Sequence, residues 1–171
     1  MTAVISADGK YRYRLDRTWD EPMRDMGRVC WVMLNPSTAD AEQDDPTIRR
    51  CIGFSRSWGC SSLTVVNLFG FRSTNPAALW KLTTNEARGQ ENARHVLEAM
   101  REASLVVVAW GAHIAFRSGG NVLYRLPRYN IEAWAAGPIR CLGLTSMGQP
   151  RHPLYVKADT RLTPFPTGAR K

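Results

Sequence analysis

Polar and apolar residues alternate along YRYRLDRTW, where Tyr11, Tyr13 and Leu15 are interleaved with Arg12, Arg14 and Asp16. This is the period of a strand with one buried and one wet face, and it predicts an antiparallel strand at the edge of a sheet. The pattern then changes. RVCWVML, Arg28 to Leu34, is an unbroken apolar run, which reads as a central strand covered on both faces. It stops at Asn35-Pro36-Ser37-Thr38, a turn that cannot continue a strand. Helical spacing follows: Ile48, Cys51, Ile52 and Ser55 share a stripe widened by Phe54 and Trp58, with Asp45 placed to cap, Pro46 at the first helical position and Gly59 at the exit. Leu63 to Asn67 and Ser104 to Gly111 read as two further buried strands, separated by a helix whose face carries Ala93, Val96, Leu97 and Met100. A shorter helix is read from Pro76, with Ala78, Leu79 and Leu82 inward, and GNVLYRL is read as helical. Ile139 to Thr145 closes the pattern as a fourth central strand.

Strands alternating with helices imply an α/β fold, with helices on both faces of a mainly parallel sheet. The expectation is a three-layer sandwich with four parallel central strands and one antiparallel edge strand. The 171 residues fit one core, so 1–171 reads as a single α/β domain, its end TRLTPFPTGARK turning into a loose tail from about 163. Composition narrows the classes further. An apolar fraction of 44% with no run near the roughly 18 residues of a bilayer span gives no membrane call. An early Asp8 and the lack of a long apolar leader point to a cytoplasmic location. Cys30, Cys51, Cys60 and Cys141 never form a C-x-x-C pair, so no metal and no cofactor is expected of them. The net charge of +8 favours polyanionic partners, nucleic acid above all.

In parallel α/β sheets ligands bind beyond the carboxyl ends of the strands. The four central strands exit at Asn35-Pro36-Ser37; at Asn67, followed by Phe69 and Arg72; at Trp110-Gly111; and at GQPRHPLY with Gln149, Arg151 and His152. Each residue also has an ordinary role open to it. Asn35 can bond its own turn, Asp40, Asp44 and Asp45 can serve the helix entry, and Trp110 can be core. Taken together the rim offers amides, an imidazole, guanidinium groups and flat rings, without a Walker A loop, a G-x-G-x-x-G turn or a serine-hydrolase elbow. Amides can read a base edge, rings can stack on its face and arginine can hold phosphate, so a nucleobase or nucleotide uses all of them.

WVMLNPSTAD, DDPTIRRC, VVNLFGFRSTNP, AWG and GQPRHPLY resemble, over most of the chain, a family of uncharacterised bacterial and phage proteins, DUF1643, which brings no established activity. The order of the motifs is also similar to that of the uracil-DNA glycosylase superfamily. That resemblance implies a uracil-DNA glycosylase-like fold, with Asn35 as the water-positioning residue, Asn67 as the strand-end reader of the base and His152-Pro153 as the histidine loop. Leu34 stands where those enzymes have glycine, and Leu154-Tyr155 where they have a small Ser-Pro.

The leading expectation is therefore an N-glycosidic hydrolase acting on a modified or damaged base flipped from DNA. Asn35 and His152 would be catalytic; Pro36, Ser37, Asn67, Phe69, Arg72, Trp110, Gln149 and Arg151 would bind substrate. One alternative is an enzyme of free nucleotides or of DNA-base modification, using Asp40, Asp44 or Asp45 as acid, base or metal ligand. Another is a noncatalytic nucleic-acid-binding module.

Overall fold

The computed structural model describes residues 1–19, 26–112 and 131–166; the helix read at GNVLYRL lies outside them. Seven strands among the described residues are β1 (Thr2–Ile5), β2 (Arg12–Thr18), β3 (Arg28–Met33), β4 (Ser62–Asn67), β5 (Leu105–Val108), β6 (Ile139–Cys141) and β7 (Thr163–Pro164). They form one mixed sheet in the order β1-β2-β4-β3-β5-β6-β7. β4, β3, β5 and β6 run parallel, while β1, β2 and β7 pair antiparallel. The four central strands are those the apolar runs predict. The flanks differ: β2 is not an edge strand, because β1 covers its outer side, and the sheet has more strands than the alternation implied. Thr163 and Pro164, read as the start of a loose tail, pair with Arg140 and Cys141.

The helices follow from local signals and from packing. α1 (Pro46–Ser57) starts where Asp45 Oδ1 accepts the Ile48 N–H at 2.9 Å, and the left-handed Gly59, φ 82°, carries the chain away after it. The apolar start at Pro76 is a 3-10 helix, Pro76–Lys81, followed by the short α2 (Thr84–Arg88), whose Thr83 and Glu86 form a reciprocal capping box. α3 (Asn92–Glu102) turns Val96, Ala99 and Met100 to the core; α4 spans Ile131–Trp134. β6 ends earlier than the apolar pattern extends, because Gly143 takes φ 87° and the chain folds back to bridge Leu144 with Pro150.

Period-two alternation divides the core between the sheet's faces. Val29, Trp31 and Met33 of β3 pack with Leu63 and Val65 against Ile48, Cys51 and Phe54 of α1. Cys30 and Val32 pack with Val66, Val106 and Val108 against α3. The connection from β3 through α1 leads to β4, while the one from β4 through α3 crosses to β5 on the far side of β3. A right-handed connection must use the opposite face when its direction reverses, so the chain leaves β3 and β4 toward different faces and opens a crevice at their carboxyl ends.

One irregularity shapes that crevice. Val4 pairs with Arg14 and Ile5 with Arg12, so Tyr13 is an additional residue on β2, a bulge. The bulge changes the phase of the alternation. Tyr13 stacks on His95 of α3, ring centroids 5.5 Å apart, and Arg12, expected on the wet face with Arg14, is only 2% exposed on the α1 side.

Candidate functional site

At the crevice a cavity of about 320 Å³ is enclosed by the exits of β3 and β4, the first turn of α1 and the 3-10 turn Pro153–Tyr155. Its volume lies at the low end of the ~300–1,000 Å³ typical of small-molecule sites. Asn35, Ser37, Asn67, Trp110 and His152, all read from strand ends, line it together, as does Asp45.

Each is held differently. Asn35 spends its amide on the turn, Nδ2 donating to the Ser73 carbonyl at 2.8 Å and the Pro36 carbonyl at 3.2 Å. Its Oδ1 is thereby oriented as an acceptor. Asn67 ends β4 in register with Met33 and on the face of Leu63 and Val65. It is 2% exposed, and its Oδ1 has no hydrogen-bond partner. A buried acceptor left in that state costs roughly 1–3 kcal/mol, which a ligand donor would recover. The backbone behind it is fixed by Asn92 of α3, whose Nδ2 donates to the Asn67 carbonyl at 2.8 Å. Trp110 is anchored by an indole N–H to Gln149 Oε1 hydrogen bond of 2.9 Å and by edge contact with Phe165.

His152 reaches the cavity because Gly111 lies beneath it. Gly111 has φ 78°, and a Cβ there would stand 3.2 Å from the His152 Cβ. His152 Nδ1 accepts the Leu154 N–H at 3.3 Å, so in the neutral ring Nε2 carries the proton. Beside it Tyr155 is 74% exposed at the cavity mouth, its ring 5.5 Å from the imidazole.

Other residues read as candidates stand elsewhere. Phe69 is buried in the core on the α3 side, so the rings available to a ligand are Trp110 and Tyr155. Pro36 is buried in the turn, its carbonyl accepting the Ser73 N–H at 2.8 Å. Arg72 ties the carbonyls of Gly9 and Thr38 across the loop above the cavity. Gln149 supports Trp110 from behind, and Arg151 lines a more open neighbouring hollow shared with Gly111, His152 and Tyr155. The three aspartates have structural duties. Asp40 closes a turn on the N–H groups of Glu42 and Gln43, bonds that hold its pKa down. Asp44 pairs with Arg17 at 2.8 Å, and Asp45 caps α1. Among the described residues no three His, Cys, Asp or Glu side chains gather to hold a metal, and no helix is long and apolar enough to cross a membrane.

Sequence alone did not find Tyr155 as a cavity ring, nor did it find Arg12. Arg12 lines the cavity, its Nη1 donates to the Ala39 carbonyl at 2.7 Å, and its Nε is buried without a partner. Burial, with Arg72 and Arg17 nearby, brings its pKa down to about 10 despite the opposing pull of Asp45 and Asp40, so it remains a cation at neutral pH. No signal in YRYR separates Arg12 from Arg14. The bulge that turns one inward carries neither glycine nor proline.

The profile of the family described as "Protein of unknown function (DUF1643)" covers residues 12–154, from the start of β2 into the turn that carries His152. No curated protein and no solved structure matches the chain.

Proposed function

The chain belongs to the DUF1643 family of proteins of unknown function, which brings no activity with it, and from the residues of its rim cavity we propose that this cavity recognises a nucleobase and hydrolyses the N-glycosidic bond of a modified or damaged base in DNA. The observation that carries this reading is the Asn67 carboxamide, buried, with an unpaired Oδ1 and facing a cavity that Asn35 and His152 also line. A carboxamide can form paired hydrogen bonds with a base edge, and Trp110 supplies the flat wall. In this scheme Asn35 Oδ1 accepts a hydrogen bond from the attacking water and aims it at the sugar carbon. Carboxamides are too weakly basic to deprotonate water, so the rate depends on positioning and on stabilising the departing base. His152, with Nε2 protonated, donates to the negative charge that develops there. The net charge of +8 supports a polyanionic substrate.

The same three positions are those the resemblance to the uracil-DNA glycosylase superfamily assigns, which supports extending that analogy to its three-layer sandwich. The test is base release. Folded protein is incubated with single- and double-stranded DNAs carrying a panel of modified bases, and the free base is measured by mass spectrometry. Release that drops at least about a hundredfold in Asn35→Ala and His152→Ala is expected; no release from any substrate overturns the reading. An enzyme of free nucleotides is favoured by one observation, the presence of Asp45 on the cavity wall. It predicts turnover of mononucleotides that is lost in Asp45→Asn and kept in Asn35→Ala.

A further inference from the structure

Arg12 is a fully buried cation that no carboxylate of the described residues ion-pairs. Its one hydrogen bond is to a neutral carbonyl, that of Ala39, and its Nε has no partner at all. A buried charge in this state is costly unless something compensates it. Asp45 shares the cavity, but its Oδ1 is engaged by the Ile48 N–H, and no ion pair forms between it and Arg12. The bulge at Tyr13 is what turns Arg12 toward the cavity, and bulges commonly re-aim a side chain beside a working site. Around the same cavity stand the first turn of the 12-residue α1, where Pro46 has no N–H and those of Ile48 and Arg49 are taken by Asp45, so that Thr47 offers the open one, and the hydroxyl residues Ser37, Thr47 and Ser73. The unpaired Asn67 carboxamide faces this space too.

We propose that Arg12 and the first turn of α1 form an oxyanion subsite, so that the cavity takes its ligand as a phosphorylated species: a nucleotide whose phosphate is held by Arg12 while its base meets Asn67. The nucleoside half of this assignment rests on the nucleobase reading above; the phosphate half does not. The phosphate can belong to a free mononucleotide or to a nucleotide within a strand, and the chemistry at Arg12 is the same for both. An incoming phosphate supplies the contacting partner that Asp45 and Asp40, which act on Arg12 only from a distance, do not, and can take two guanidinium N–H bonds at once, the geometry in which arginine binds oxyanions most strongly.

The experiment uses the full chain and inorganic phosphate as the first probe. Saturable binding by calorimetry is expected at or below about 10 mM, together with a shift of the Arg12 Nε–H resonance in the wild-type protein. Binding at least about tenfold weaker in Arg12→Gln is expected alongside it. The resonance needs no variant, so it decides the matter if Arg12→Gln fails to fold. Absence of binding, or binding that leaves both the Arg12 resonance and the Arg12→Gln affinity unchanged, overturns the subsite and identifies an adventitious contact on the basic surface. Deoxynucleoside 5′-monophosphates are then compared with the matching nucleosides and with a short single-stranded oligonucleotide. Monophosphates binding more tightly than nucleosides supports the full proposal, and the stronger of monophosphate and oligonucleotide names the source. Nucleosides binding as well as monophosphates overturns the subsite and leaves the nucleobase reading standing. Phosphate binding at Arg12 with no gain from any attached nucleoside supports the subsite and overturns the nucleobase reading.

Discussion

The two ends of β2 carry arginines that are equally buried and opposite in circumstance. At its far end Arg17, 2% exposed, donates Nε to Asp44 at 2.8 Å and uses its other nitrogens on the carbonyls of Asp16 and Asp40 at 2.9 and 2.6 Å. Between them Asp16 gathers Arg14, Arg28 and Thr64 into one connected network. At the near end, past the bulge, Arg12 is as deep and has a single carbonyl. A satisfied buried cation holds the fold together, because its partners offset its desolvation; an unsatisfied one facing a cavity weakens the fold and is understandable when a ligand completes it. The residue type is the same at both ends, and only the partners separate structure from function.

The comparison breaks most readily at Arg17. Arg17→Ala leaves Asp44 and several carbonyls without their donor and should cost about 3 kcal/mol in urea unfolding, whereas Arg12→Met should unfold within about 1 kcal/mol of wild type or above it. Equal losses in the two variants would erase the distinction. Gly111→Ala comes next: its positive φ and the His152 contact predict a loss of about 2 kcal/mol, with ligand binding or turnover falling further than stability because His152 is displaced. Asn67→Leu sharpens the cavity side. Removing an unpaired buried acceptor should leave stability unchanged or raise it by about 1 kcal/mol while abolishing ligand binding; a large destabilisation would show that the carboxamide holds the fold.

The smallest effect concerns pH. Burial pushes the Asp16 carboxyl up, but the hydrogen bonds from Arg14 and Thr64 and the charges of Arg14 and Arg28 outweigh it, so its pKa is lowered on folding. A lowered carboxylate pKa stabilises above the unfolded value and loses that contribution as pH falls through the folded one. The stability difference between wild type and Asp16→Asn should therefore shrink below about pH 4, measured by thermal melts across an acid series. A difference that stays constant with pH would remove Asp16 from the ionic network.

Much of the scaffold was legible because its signals are local. Apolar runs marked the four parallel strands, and Asp45, Pro46 and Gly59 bounded α1, since capping and backbone preference act within a few residues. The added strands were less visible: β1 is half-exposed and only four residues long, and β7 has two residues, too few to show a period. The site divides the same way. Asn35, Asn67, Trp110 and His152 could be listed from strand ends because parallel sheets deliver those ends to one rim. Phe69 could not be told from its neighbours, since the step that turns it into the core depends on how the chain leaves β4 toward α3.

By itself, then, the amino-acid order determined the four parallel strands, the bounds of α1 and which residues stand at those strands' ends, because periodicity, caps and turns are short-range properties. Tertiary structure alone decided that β1 covers β2, that Gly111 admits His152 to the cavity, and that Arg12 faces inward while Arg14 joins Asp16. The physical reason is the bulge and the packing around it: one additional residue against a partner strand reverses the facing of what precedes it, and pairing with that strand is settled only when distant parts of the chain meet.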